Sequence, residues 1–250
     1  MELIAENICK SIKRNMILDH INLQLSGGHI YGFVGINGAG KTMLFRALSG
    51  LIRIDSGQIR WNNQILHKNI EVLPSLGIVI ENAGLYPNLT GFDNLKELAD
   101  LRRSITSDDI RFAMNRVGLD PADSRLYKKY SLGMKQRLII AQAIMERPDV
   151  IMLDEPTNAL DEESAANVRT IIREERERGA IVLLASHNRE DIYPYSFRWG
   201  CLSAWAIRLP DIRWSRRLHL PRPRSQRRKY MDNPVLPVLL RLRVQHVFPV

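Results

Sequence analysis

The sequence predicts an α/β fold with a helical lobe inserted between its strands, and three observations carry that expectation. Short apolar, β-rich runs recur at His29–Val34, Gly57–Trp61, Gly77–Ile80, Val150–Leu153 and Ala180–Ala185. Between the third and fourth of these, from Phe92 to Met145, the apolar period is helical instead. After about Ile192 neither period continues. Strands on both sides of a helical block fit a sheet core with a helical insertion.

Each element has its own local signal. His29–Val34 feeds a glycine loop, GINGAGKT, and then a helical stretch, MLFRALSGL. Asn88 to Thr90 offers a cap for the first helix of the lobe, Ser107 one for the second, and Ser131 precedes a third over 133–146. A charged helix from Asp161 to Arg178 separates the last two strands. The most apolar run, Leu138 to Met145, is broken by Gln142 and is far shorter than the ~18 residues of a membrane span. The start, MELIAENICK, lacks a basic-then-apolar leader, and Cys9 and Cys201 form no disulfide framework, so a cytosolic location is expected.

The net charge of +9 suggests nucleic acid until it is divided along the chain. Residues 1–187 hold 23 basic and 23 acidic side chains. Residues 188–250 hold 13 basic and 4 acidic ones, with seven of the twelve prolines and three of the four tryptophans. Two compositions therefore share the chain, and the first carries no excess charge.

Chemistry concentrates in the balanced part. Gly35, Ile36, Asn37, Gly38, Ala39, Gly40, Lys41 and Thr42 fit G-x-x-x-x-G-K-S/T between a strand and a helix. Glycines let backbone N–H groups turn inward around phosphate oxygens, and the following helix adds its positive end. Lys41 supplies a point charge to the β- and γ-phosphates, and the Thr42 hydroxyl suits Mg²⁺. Further on, VIMLDEP makes a strand buried on both faces that ends in Asp154 and Glu155. Adjacent strand residues point to opposite faces, so the two carboxylates need different roles. Asp154 suits the Mg²⁺ site beside Thr42, and Glu155, just past the strand end, suits the attacking water.

These residues resemble the ATP-binding subunits of ABC transporters, over about residues 2–191. GINGAGKT looks like the Walker A loop, VIMLDEP like Walker B, Asn158–Asp161 like the D-loop, and Ser186 with His187 like the switch histidine. YSLGMKQR resembles the LSGGQ signature, keeping Ser131 and Gly133 but with Leu132 and Met134 where the family has glycine and glutamine. The resemblance implies a P-loop NTPase core that binds ATP with Mg²⁺ and works as a head-to-tail dimer. Ser131 and Gly133 would then face the γ-phosphate held by the other copy, while Glu155 and His187 act on water. Ser131 caps its helix in either case.

Two departures stand out. Glu81 occupies the place of the family's Q-loop glutamine, where a carboxylate still ligates Mg²⁺. Ile12 stands where an aromatic ring generally stacks on adenine, forfeiting on the order of 1 kcal/mol. The stretch IEN…LYPNLT…NL, together with SLGMKQR, resembles subunits of the bacitracin-resistance and lantibiotic-immunity type. It points to export of a drug or peptide antibiotic through a separate transmembrane permease, with the subunit peripheral on the cytoplasmic face. Contact with that permease is expected from about residues 81–105, and no nucleic-acid partner is expected. The rival readings are a non-transport ABC ATPase acting on nucleic acid or ribosomes, and an inactive one.

The expected division is an ATP-binding domain over 1–192, with its helical lobe over about 83–146, and an atypical, irregular basic tail over 193–250. Tyr193 and Pro194 interrupt the helix begun at Arg189, and the family's closing strands do not follow. Three readings compete for the tail: a frameshifted or chimeric end, a basic segment that touches anionic lipid or nucleic acid, and a disordered terminus. Shifted by one base, Phe197–Cys201 can read Phe-Asp-Gly-Val-Ala, which resembles the missing segment and favours the first.

Overall fold

The computed structural model describes residues 1–80, 84–102, 104–187 and 192, and the backbone of 200–202, 205–207 and 241–242. The chain opens with two long antiparallel strands, β1 (Glu2–Ile12) and β2 (Asn15–Ser26). Lys13 and Arg14 alone join them, at φ 47° and 68°, the left-handed pair that lets a two-residue hairpin follow the strand twist. β3 (His29–Gly35) leads into α1 (Lys41–Ser49). Then β4 (Ser56–Trp61) pairs with the free edge of β1, and β5 (Gln64–Ile65) extends it into a four-stranded sheet, β2-β1-β4-β5.

The second sheet is the centre of the molecule. β6 (Leu76–Val79), β7 (Val150–Asp154) and β8 (Ile181–Ser186) run parallel with β3 in the order β3-β8-β7-β6. Within the region set aside as a tail, β9 (Gly200–Leu202), β10 (Trp205–Ile207) and β11 (Arg241–Leu242) continue this sheet beyond β3, with β10 antiparallel to it.

Between β6 and β7 come α2 (Gly91–Arg102), α3 (Ser107–Arg116) and α4 (Leu132–Ile144), the expected helical lobe; α5 (Glu162–Glu177) connects β7 to β8. The α3 cap is Thr106, not Ser107 as the sequence suggested. Thr106 stays extended and its hydroxyl accepts the Asp109 N–H, while the Asp109 carboxylate accepts the Thr106 N–H at 2.8 Å. The reciprocal pair needs its acidic member three residues on, and Asp109 sets the register.

The strands explain the two-layered core. Val150 and Met152 of β7, with Ile181, Leu183 and Ala185 of β8, pack with α1 and the first sheet. Their alternates Ile151, Leu153, Val182 and Leu184 pack with α4, α5 and the lobe. Burial on both faces requires unbroken apolar runs, and each buried Val, Leu, Ile or Met among them contributes about 1.5–3 kcal/mol. At Gly77 the backbone of α4 comes so close that a Cβ would stand 1.8 Å from the Ala143 carbonyl oxygen.

The lobe is also tied to the core by charge. Arg116 of α3 donates to Glu175 at 2.6 Å and to Glu174 at 2.8 Å, both on α5, and Glu175 is 3% exposed. Arg178 satisfies the second Glu175 oxygen at 2.8 Å, so the buried carboxylate is fully paired.

Two outcomes follow from this packing. Gly77→Ala has to push α4 off β6 and is expected to lower stability by about 1–3 kcal/mol in urea unfolding. For Asp109, the hydrogen bonds from the Thr106 hydroxyl and N–H hold the carboxyl below its ordinary value, so folding favours the ionised form. That stabilisation is complete above the unfolded aspartate value near pH 4 and fades as pH falls through the lower folded value. The stability gap between the wild type and Asp109→Asn is therefore expected to narrow as pH drops from about 5 towards 2.

Candidate active site

Parallel strands buried on both faces leave polar chemistry only at their ends, and here four C-terminal ends lie side by side. The end of β3 is Gly35, where the glycine loop begins. Gly38 and Gly40 hold φ of 81° and 90°, a left-handed backbone that glycine adopts without strain and that turns the chain into α1. Gly40 is the N-cap residue of α1 and makes no side-chain cap, so the first-turn N–H groups of a nine-residue helix face the loop. Lys41 is 6% exposed, and its ammonium donates to the carbonyls of Gly35 at 2.6 Å and Ile36 at 3.3 Å. The Ile36 side chain points away from this cradle and is 75% exposed.

One residue further along α1, the Thr42 hydroxyl donates to Asp154 at the end of β7, at 2.5 Å. A strand pair two elements apart in space thus brings together the two oxygens that the sequence assigned to one metal ion. Both are hard donors, which suits Mg²⁺ rather than a thiophilic ion. Glu81, the third residue so assigned, lies outside the described residues.

Glu155 resolves the conflict between neighbouring carboxylates by leaving the strand. Its φ is 51°, left-handed, while its N–H still donates to the Ala185 carbonyl at 2.8 Å. The side chain swings to the end of β8, where one oxygen accepts the Ser186 hydroxyl at 3.2 Å. The other accepts the His187 N–H at 2.8 Å and contacts His187 Nδ1 at 2.9 Å. A carboxylate only accepts, so Nδ1 carries the proton and Nε2 is left facing outward on a ring whose side chain is 49% exposed. Ser186 was legible as part of a motif, but its grip on Glu155 was not.

The signature sits on a different element. Ser131 is the N-cap residue of α4, accepting the Met134 N–H at 3.1 Å. Leu132 is 71% exposed, so its bulk projects into solvent and leaves the backbone of the turn clear. Among the described residues no hydrogen bond joins Ser131 or Gly133 to the loop 35–42 of the same chain. Instead the start of α4 leans on the loop after β7. Gln136 donates to the Pro156 carbonyl at 3.2 Å, and a Cβ at Gly133 would come within 3.1 Å of the Ala159 carbonyl. Gln136 lay inside the quoted motif without an assigned task. Asp161, at the end of the same loop, caps α5 through the Ser164 N–H, and this bond holds its carboxyl below the ordinary value. Ile12, at the end of β1, is 40% exposed.

Comparison with known proteins fits this geometry. Residues 18–158, more than half of the chain, match the ABC transporter family. The uncharacterized ABC transporter ATP-binding protein YybJ of Bacillus subtilis (strain 168) is 48% identical over 186 residues, 74% of this chain and 85% of its own length. The bacitracin transport ATP-binding protein BcrA of Enterococcus faecalis is 38% identical over 190 residues, 75% of this chain but 62% of the relative. The lantibiotic transport ATP-binding protein SrtF of Streptococcus pyogenes is 35% identical over 187 residues, 73% of this chain and 78% of its own length. Among solved structures, a bacterial ABC transporter cassette in dimeric form superimposes with a TM-score of 0.67, 20% identity, 76% of this chain and 89% of that one. An ATP-binding subunit of an ABC transporter gives 0.69 at 22% identity, over 78% and 83%. The chain belongs to the ABC transporter family, on its ATP-binding, ATP-hydrolysing side.

Proposed function

We propose that this protein hydrolyses ATP at two sites shared between copies of the chain and uses the cycle to drive a separate membrane permease that exports a drug or peptide antibiotic. The observation that carries the reading is the meeting of Lys41, Thr42 with Asp154, and Glu155 with His187 at adjoining strand ends. In this reading the N–H groups of 35–42 hold the β- and γ-phosphates, and Lys41 exchanges its two carbonyls for phosphate oxygens. Thr42, Asp154 and Glu81 would hold Mg²⁺, which when bound would neutralise phosphate charge. Glu155, oriented by Ser186 and His187, aligns the attacking water, and the outward Nε2 of His187 reaches the γ-phosphate.

The second half of each site is assigned to Ser131 and Gly133 of the other copy. Supporting this, the capped start of α4 makes no bond to its own phosphate loop, and the dimeric cassette has the same fold. Export of a peptide antibiotic is supported by the relatives named for bacitracin and lantibiotic transport. No helix among the described residues is long and apolar enough to cross a membrane, so the passage is assigned to another chain. We assign residues 1–192 to the ATP-binding domain, since Ile192 is still buried in the core, and 193–250 to a basic segment whose strands β9, β10 and β11 extend the same sheet.

Two measurements test this. Glu155→Gln keeps the side chain's shape but loses its charge; it is expected to retain ATP binding, slow turnover by about 10²–10⁴-fold and accumulate a dimer with ATP. Wild-type turnover in that variant would refute the assignment. For the shared site, Lys41→Ala and Ser131→Asp are each expected to be inactive alone, the aspartate still capping α4 but repelling phosphate. A mixture of the two regains activity if sites are shared, because each mixed dimer holds one intact Lys41 facing one intact Ser131. No recovery on mixing would place each site within a single chain.

A further inference from the structure

On the antiparallel sheet, on strands that carry none of the phosphate-site residues, three metal-binding side chains of different chemistry converge. The pairing of β1 with β2 runs from Ile8 opposite Ile21 to Lys10 opposite Leu18. One residue of β1, Cys9, therefore faces two of β2, Asp19 and His20, which is a β-bulge. Regular strand geometry would send Asp19 and His20 to opposite faces. His20 has φ 50°, a left-handed backbone that breaks the alternation and turns both side chains towards the same sulfur. The Cys9 sulfur, an imidazole nitrogen and an Asp19 carboxylate oxygen all lie within 4.8 Å of one another.

The sulfur is held in place by its neighbours. Cys9 is 6% exposed and free of any disulfide. Its sulfur accepts the His20 N–H at 3.4 Å, and its thiol donates to the Asn7 carbonyl at 3.9 Å. His20 Nδ1 and Asp19 Oδ1 are joined by a hydrogen bond, with its one proton between them, at 2.6 Å. A tetrahedral ion with bonds of about 2.0–2.3 Å sets its donors roughly 3.4–3.8 Å apart, so replacing that proton needs only small shifts. The His20 and Asp19 side chains are 66% and 31% exposed, which leaves an entry path and room for water as a fourth ligand.

We infer that Cys9, Asp19 and His20 form a binding site for a borderline-soft divalent transition ion such as Zn²⁺, distinct from the hard-oxygen site at Thr42 and Asp154. One sulfur, one nitrogen and one oxygen donor select against Mg²⁺ and Ca²⁺ and for zinc-like ions. Bound there, the ion clamps the bulge and so stiffens the hairpin end of the two strands, which carries Ile12. The inference is independent of the transport reading, because none of its residues takes part in it.

The test uses the full chain with Co²⁺ as a spectroscopic probe and Zn²⁺ in competition with a chromophoric chelator. One equivalent of Co²⁺ is expected to give a sulfur-to-metal charge-transfer band that Zn²⁺ abolishes. Cys9→Ser removes the band, Cys201→Ser keeps it, and His20→Asn or Asp19→Asn weakens affinity on the order of 10–100-fold or more. Should Cys9→Ser not fold, His20→Asn decides, since asparagine tolerates the left-handed backbone at that exposed position. Absence of the band, its loss in Cys201→Ser alone, or unchanged affinity in His20→Asn overturns the proposal and leaves a bulge that serves only to twist the hairpin.

Discussion

Val150–Leu153 and Ile181–Ala185 are buried on both faces, with alternate side chains entering separate halves of the core. A polar side chain anywhere along them would lose its water without gaining a partner, a penalty of roughly 1–3 kcal/mol. Polar and ionisable side chains therefore appear only where these strands end, at Asp154, Glu155, Ser186 and His187. Because the strands are parallel and in register, those ends fall in one row beside the loop that leaves β3. The position of the site is thus a consequence of how the sheet is buried, before any particular residue is considered.

Within that row, the backbone decides which group does what. Asp154 still belongs to the strand and points to the α1 side, where Thr42 meets it. Glu155 adopts a left-handed φ that costs a non-glycine residue on the order of 1 kcal/mol, and three hydrogen bonds from β8 and His187 hold it there. Two like charges in adjacent positions are separated in this way, one facing the hydroxyl and the other the imidazole. The same loop runs through Pro156 and Ala159 to α5 and on its way touches the start of α4, so a shift of Glu155 is felt at that turn through Gln136 and Gly133.

How much of this was legible depended on whether the signal was periodic or conformational. The five parallel-sheet and edge runs, the lobe and the phosphate loop announce themselves through apolar runs and glycine spacing, and each appears within a residue or two of where the sequence put it. β1 and β2 did not, for two physical reasons. Register shifts after Ala5 and around Lys10 break the alternation that would reveal them, and the hairpin turn is Lys13-Arg14 rather than the usual Asn-Gly. Likewise the sequence names Asp154 and Glu155 but cannot display the left-handed turn between their roles. Ser107 looked like a cap because serine is a good one; Thr106 won because only it has an acidic residue at the third position beyond.

The attachment of the lobe extends the same logic from the site to the whole chain. A lobe that rests on the core only through apolar surface could slide, since side chains such as Leu138 and Ile144 tolerate small shifts among neighbours of similar shape. The Arg116 bonds to Glu174 and Glu175 do not tolerate it. Glu175 is buried, and withdrawing Arg116 leaves one of its oxygens without a partner, at about 1–3 kcal/mol, while Arg178 keeps the other. Asn167 adds a directional bond from α5 to the Arg116 carbonyl at 2.7 Å. Hydrogen bonds at Arg116 of α3, against α5, and at Gln136 of α4, on the loop after β7, are two of the points that hold the lobe, with Arg102 of α2 on the Pro74 carbonyl at 2.7 Å another. Rotation of the lobe about the core must break the first or carry the second with it. A change at Glu155 that moves Pro156 accordingly has a mechanical route to the helices between β6 and β7, through hydrogen bonds rather than through deformable packing.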